Sequence, residues 1–93
     1  MPYAVAGMLA YAMKRESFPI ANIYVPTARR ATLKQQTVDE LAENILQNGQ
    51  KDPILVRRDG ERFVLIEGLH RLEACRKLGE ATVFGFLVKA RRH

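Results

Sequence analysis

The stretch from Phe63 to Gly79 constrains the chain most: Phe-Val-Leu-Ile-Glu-Gly-Leu-His-Arg-Leu-Glu-Ala-Cys-Arg-Lys-Leu-Gly. It reads as a buried strand over Phe63 to Ile66, a tight turn at Glu67-Gly68 and a helix from Leu69 to Leu78. A strand that turns through glycine directly into a helix leaves the first backbone N–H groups of that helix without intrahelical partners. Those donors, with the positive end of the helix dipole, form an anion site. Gly68 lacks a Cβ, which is expected to let the backbone approach a ligand closely. His70 and Arg71 then fall in the first helical turn, where charged cations oppose the dipole by about 0.3–1 kcal/mol each. A bound phosphate reverses that sign, so Gly68-x-His70-Arg71 reads as an anion-binding turn for nucleotide phosphates. Read blandly, the same two residues are solvated side chains on a helix that merely begins there.

Composition narrows the alternatives. Ninety-three residues make one small domain. Its 47% hydrophobic and 27% charged content is that of an ordinary globular protein. The net charge of +5 is concentrated in residues 51–93, which hold ten Lys/Arg against six Asp/Glu. That balance suits a polyanionic partner but is also explained by solubility. Cys75 is the only cysteine, so no intramolecular disulfide forms. The setting expected from it is reducing and cytoplasmic. With His70 and His93 it is too little for a zinc site, and no metal site is expected from side chains.

Along the chain, residues 1–19 read as an N-terminal helix or extension, and residues 20–93 as the domain proper. Pro2 to Met13 is almost wholly apolar. It is too short to cross a membrane, which takes about 20 apolar residues, and its positive charge follows the apolar run, unlike a signal peptide. It is expected to form a short helix against the body or against another copy, ended at Phe18-Pro19. Ile20, Ile23 and Val25 predict a short strand, and Thr27 to Gln36 a polar, basic loop. Thr37-Val38-Asp39-Glu40 has the form of a capping box. Val38, Leu41, Ala42, Ile45 and Leu46 form one apolar helical face behind it, and Asn48-Gly49 closes the helix. Ile54-Leu55-Val56 reads as a strand, Asp59-Gly60 as a hairpin turn, and Thr82 to Val88 as a last strand. Leu72, Cys75 and Leu78 face inward on the second helix. The order α-β-α-β-β-α-β implies an α+β fold, a small mixed sheet with helices packed on it.

These blocks resemble the ParB/sulfiredoxin-like fold over Ile20 to Val88. The resemblance rests on Ile23-x-x-Pro26-x-x-Arg29, on Leu41-Ala42-x-x-Ile45-x-x-x-Gly49-Gln50-x-x-Pro53-Ile54-x-Val56, and on Gly68-x-His70-Arg71-Leu72-x-Ala74. It implies that the Gly-x-x-Arg turn holds nucleotide phosphates: CTP in ParB proteins, ATP in sulfiredoxins, a nucleotide in related free-serine kinases. Carried over, Gly68, His70 and Arg71 match the phosphate turn, Arg29 the first-block arginine, and Gln50 a polar position beside the same pocket. ATP or CTP, with Mg2+, is the implied ligand.

Two departures bear on activity. Sulfiredoxins carry their catalytic cysteine where this chain has Leu69, and Cys75 sits on the inward face, so that chemistry is not expected. ParB proteins usually have glutamate at the position of His70 and continue into a helix-turn-helix domain that this sequence does not contain.

The leading reading is a nucleotide-binding regulatory or interaction module. A second is a DNA-binding protein or nuclease, as ParB-like domains are often labelled, with Arg57, Arg58, Arg91 and Arg92 on backbone phosphates. No carboxylate cluster for metal-dependent cleavage accompanies them, and no helix offers a free basic face for base readout. A third is a nucleotide-dependent small-molecule kinase, for which Glu67 is the one carboxylate beside the turn.

Overall fold

The computed structural model describes residues 13–89. All but the last residue of the helix expected over Pro2 to Met13, with its role in self-association, lies outside them, as do Arg91 and Arg92, while Met13 itself begins a strand. The elements are β1 (Met13–Pro19), a 3-10 turn (Ile20–Asn22), β2 (Ile23–Tyr24), α1 (Thr27–Arg30), α2 (Gln35–Asn48), β3 (Ile54–Asp59), β4 (Arg62–Glu67), α3 (Leu69–Lys77) and β5 (Thr82–Val88).

The five strands form one mixed sheet in the order β1-β5-β3-β4-β2. β1 and β5 pair antiparallel, as do β3 and β4, while β5–β3 and β4–β2 are parallel. The expected α+β architecture is therefore what forms. Period-two alternation sets its faces. Phe18, Ile23, Ile54, Val56, Phe63, Leu65 and Val83 point to one side and close on Leu69, Leu72 and Cys75 of α3 in a single buried cluster. α2 stacks outward on α3 through Val38, Ala42 and Ala74.

Several local expectations are corrected. Met13–Pro19 is an edge strand running from Met13↔Val88 to Pro19↔Thr82, not an extension leading into a break. Its alternation was hidden by charged residues at an edge, where one row of side chains meets water. Ile20 belongs to a 3-10 turn, so β2 is only two residues long. The expected loop contains α1. The hairpin turn is Gly60-Glu61, one residue later than read, because Asp59 pairs with Arg62 across it. Leu46 is 69% exposed and leaves the apolar face to Val38, Leu41, Ala42 and Ile45.

The capping box fails for a specific reason. α2 begins at Gln35 with Lys34 at its N-cap, and no side chain of its own caps it. Thr37 and Glu40 are already inside the helix. The Lys34 N–H instead donates to His70 Nε2 of α3 at 3.0 Å.

Candidate functional site

The turn between β4 and α3 is set by packing. Gly68 has φ 105° and ψ 30°, a left-handed conformation that side chains rarely adopt. A Cβ built there would lie 2.7 Å from Ile54 Cγ2. Gly85 packs against the same residue from β5, where a Cβ would meet the Ile54 carbonyl oxygen at 2.4 Å. Ile54 is fully buried between the two glycines. The expectation that Gly68 makes room for a ligand is thereby corrected, since the missing side chain would collide with the core.

That constraint nevertheless fixes the head of α3. The first helical bond runs from the Leu72 N–H to the Gly68 carbonyl at 2.8 Å. The N–H groups of Leu69, His70 and Arg71 have no intrahelical acceptor. No side chain caps them, and no acidic residue lies in the first turn. They open on a cleft of about 330 Å³ lined by Arg29, Thr32, Thr37, Leu41, Gly68, Leu69, His70 and Arg71. Four of the five residues the sequence pointed to, Arg29, Gly68, His70 and Arg71, thus meet around one space. Thr32, Thr37 and Leu41 were missed. Leu41 had been assigned to the core and Thr37 to a cap, and Thr32 Oγ donates locally to the Arg29 carbonyl at 2.7 Å.

Charge in the cleft is predominantly positive. Arg29 is exposed and has no ion pair among the described residues. Arg71 Nη2 donates to Asp52 Oδ2 at 3.3 Å, with its own side chain 23% exposed and that of Asp52 72% exposed. So exposed a pair contributes at most about 1 kcal/mol and exchanges readily for a better acceptor. His70 accepts at Nε2, so its neutral ring carries the proton on Nδ1. A second concavity of about 370 Å³ shares Leu69, but its cations are Arg30 and Arg76, and Arg76 is paired with Glu73 at 3.2 Å.

The remaining sequence candidates stand elsewhere. Gln50 is committed to the sheet: its Nε2 donates to the Phe84 and Asp52 carbonyls at 2.8 and 2.9 Å, and its Oε1 accepts the Phe84 N–H at 2.9 Å. It extends the β3 ladder on β5 and does not line the cleft. Glu67 is exposed at the end of β4 and is also absent from the lining. Cys75 is buried, and burial pushes its thiol up, with Glu80 adding to the shift and Arg71 opposing it. Arg57 and Arg58 lie toward the far end of β3, where with Leu87, Val88 and Lys89 they line a separate concavity of about 410 Å³. Among the described residues no group of three or more His, Cys, Asp or Glu is placed to hold a metal ion, and no helix is long and apolar enough to cross a membrane.

Comparison with known proteins agrees with the fold. A sulfiredoxin from Arabidopsis thaliana superposes with a TM-score of 0.74 at 31% identity, over 83% of this chain and 86% of that one. A C-terminally truncated ParB from Caulobacter crescentus, complexed with CTP-γ-S, gives 0.69 at 23% identity, over 86% of this chain and 46% of that one. In sequence, 62 residues are 36% identical to a protein of Campylobacter jejuni described as a probable chromosome-partitioning protein ParB. The match takes in 67% of this chain but only 22% of that relative. The model of the ParB N-terminal domain matches residues 12–92. With nearly its whole length inside that match, the chain belongs to the ParB N-terminal domain family.

Proposed function

We propose that this domain binds a nucleoside triphosphate, with its phosphates at the head of α3, and that it acts as a regulatory or interaction module. The observation that carries the reading is the uncapped N-terminus of α3 opening between Arg29 and Arg71. Three unspent N–H donors and two guanidinium groups face one cleft there. Arginine's planar fork suits phosphate oxygens, and charge-assisted bonds are about twice as strong as neutral ones. Arg71 would leave Asp52 for the phosphate, and Leu41 and Leu69 offer apolar surface beside it. Of the nucleotides, CTP is favoured because the Caulobacter ParB of the same fold was solved with CTP-γ-S. ATP remains the alternative that the sulfiredoxin-like shape raises. Mg2+ would arrive with the phosphates, since the described residues supply no cage for it.

Calorimetric titration with ATP, CTP, GTP and an unrelated DNA duplex tests the proposal. Saturable binding of one nucleotide that is lost in Arg71→Ala supports it. Equal affinity in wild type and Arg71→Ala removes Arg71 from the site.

A second reading draws on Arg57, Arg58 and Lys89, which gather around one concavity with no ion pair among the described residues. These cations fit nucleic-acid phosphates, with affinity that is independent of sequence and falls steeply with salt. Nothing comparable favours phosphotransfer, because Glu67 stands outside the lining of the cleft.

A further inference from the structure

The head of α2 is held by a side chain from another helix. His70 Nε2 accepts the Lys34 N–H at 3.0 Å, and Lys34 is the N-cap of α2. Among the described residues this is the one hydrogen bond joining α3 to the segment 27–34. The other bonds of that segment are internal or run to its immediate neighbours, as from Arg29 and Arg30 to the Pro26 carbonyl and from Thr32 to that of Arg29. His70 also lines the cleft, as do Arg29 and Thr32 of that segment and Thr37 and Leu41 of α2. One imidazole therefore lines the anion-binding space and also bonds the segment that supplies part of its wall.

We infer that His70 is a positioning residue that couples occupancy of the cleft to the placement of segment 27–34. Its Nε2 holds Lys34, while its Nδ1–H donates to the bound phosphate. This rests on the nucleotide reading for the identity of the anion. Each bond fixes the tautomer the other requires, so a phosphate on Nδ1–H strengthens Nε2 as an acceptor for Lys34.

The charged groups around the ring are Arg29 from α1, Lys34 at the head of α2, Arg71 on its own helix, and Asp52 from the segment before β3, paired with Arg71. A histidine acting only through charge would hold an anion better once protonated. Here protonation turns an N–H toward the Lys34 N–H and releases segment 27–34. The two roles therefore respond to acid with opposite sign.

The test follows amide hydrogen exchange at Lys34 and the His70 ring-nitrogen shifts by NMR in the isotope-labelled chain. At about pH 7.5 the ring should carry its proton on Nδ1, and Lys34 should be protected. At about pH 5.5, where a histidine gains charge, Lys34 protection should fall by about tenfold after correction for intrinsic exchange, the scale of one lost hydrogen bond. His70→Gln, whose side-chain oxygen supplies a non-titrating acceptor, should stay protected at both values, and His70→Ala at neither. CTP added at the higher pH should raise Lys34 protection in wild type and leave His70→Ala unchanged. A proton on Nε2 at the higher pH, or equal Lys34 protection in wild type and His70→Ala, overturns the inference. CTP that shifts the Arg71 amide without altering Lys34 exchange overturns the coupling alone. CTP that shifts no cleft resonance overturns the nucleotide reading and the coupling with it, while the acid release still decides the tether.

Discussion

The two longer helices begin in similar ways and end up with different neighbours. Neither α2 nor α3 carries a side-chain cap of its own, and neither has an acidic residue in its first turn. At α2 the N-cap donor is taken up by His70, and further along the helix Gln35 and Gln36 donate to Asp39 and Glu40 at 3.0 and 3.3 Å. At α3 the donors stay open, backed by the left-handed turn at Gly68 and flanked by Arg29, His70 and Arg71. A helix head becomes an anion site when nothing within the fold answers its donors and the nearby charges are positive. At α2 the N–H groups of Gln35, Gln36 and Thr37 equally lack an intrahelical acceptor, and what differs is their surroundings, with His70 on the N-cap N–H and Asp39 and Glu40 one turn on.

The largest break in this contrast should come from Gly68→Val. It combines a disallowed φ with a clash against Ile54, and each contributes about 1–3 kcal/mol. Urea unfolding should show a loss of about 2–6 kcal/mol, and a loss below about 1 kcal/mol would mean that the turn relaxes freely. Arg71→Ala leaves the fold in place and should weaken nucleotide binding by about 1.5–3 kcal/mol, read by calorimetry. Its effect on stability should stay within about 1 kcal/mol, because the partner Asp52 is largely exposed. Cys75→Ala falls in the buried core between α3 and the sheet. It should cost on the order of 1 kcal/mol of packing and leave nucleotide affinity unchanged. The native thiol should be alkylated slowly, since burial keeps it protonated, and rapid alkylation would place it at the surface.

The smallest effect concerns the link between the two helices. Lys77, with help from Gln35, holds the Asp39 carboxyl below its usual range. A carboxyl whose folded pKa is depressed stabilises the fold above its unfolded value, and that contribution is lost as pH falls through the folded one. The link should therefore act fully at neutral pH and fade below about pH 4. Asp39→Asn should remove that part of the acid dependence of the melting temperature, and an unchanged acid profile would show that the pair is idle.

What the sequence disclosed followed the strength of the local signals. Phe63 to Gly79 carries a continuous apolar run, a glycine and a helical period, so β4, the turn and α3 were legible to within one or two residues. Arg71 was legible from its place in the first turn after Gly68, and Arg29 from a block that resembles a known fold. β1 was not, since an edge strand buries only alternate residues and its charged positions mask the pattern. The start of α2 was not legible either. The N–H of its N-cap residue Lys34 is taken by a residue 36 positions away, and the capping-box pattern at Thr37 pointed to a later start. Gln50 was expected beside the pocket, but its amide mimics backbone in a ladder whose partner, Phe84, lies 34 residues on. Gly68 was assigned to ligand approach because Ile54 cannot be seen from its neighbours in sequence.

We propose that the head of α3, and not the basic far end of the sheet, receives the phosphates. Backbone amide shifts followed during a CTP titration test it most directly. Saturable changes at Leu69, His70 and Arg71 and at Arg29, with Arg57, Arg58 and Lys89 unmoved, are the predicted result. Changes centred on Arg57, Arg58 and Lys89, or none at millimolar ATP, CTP or GTP, would contradict it.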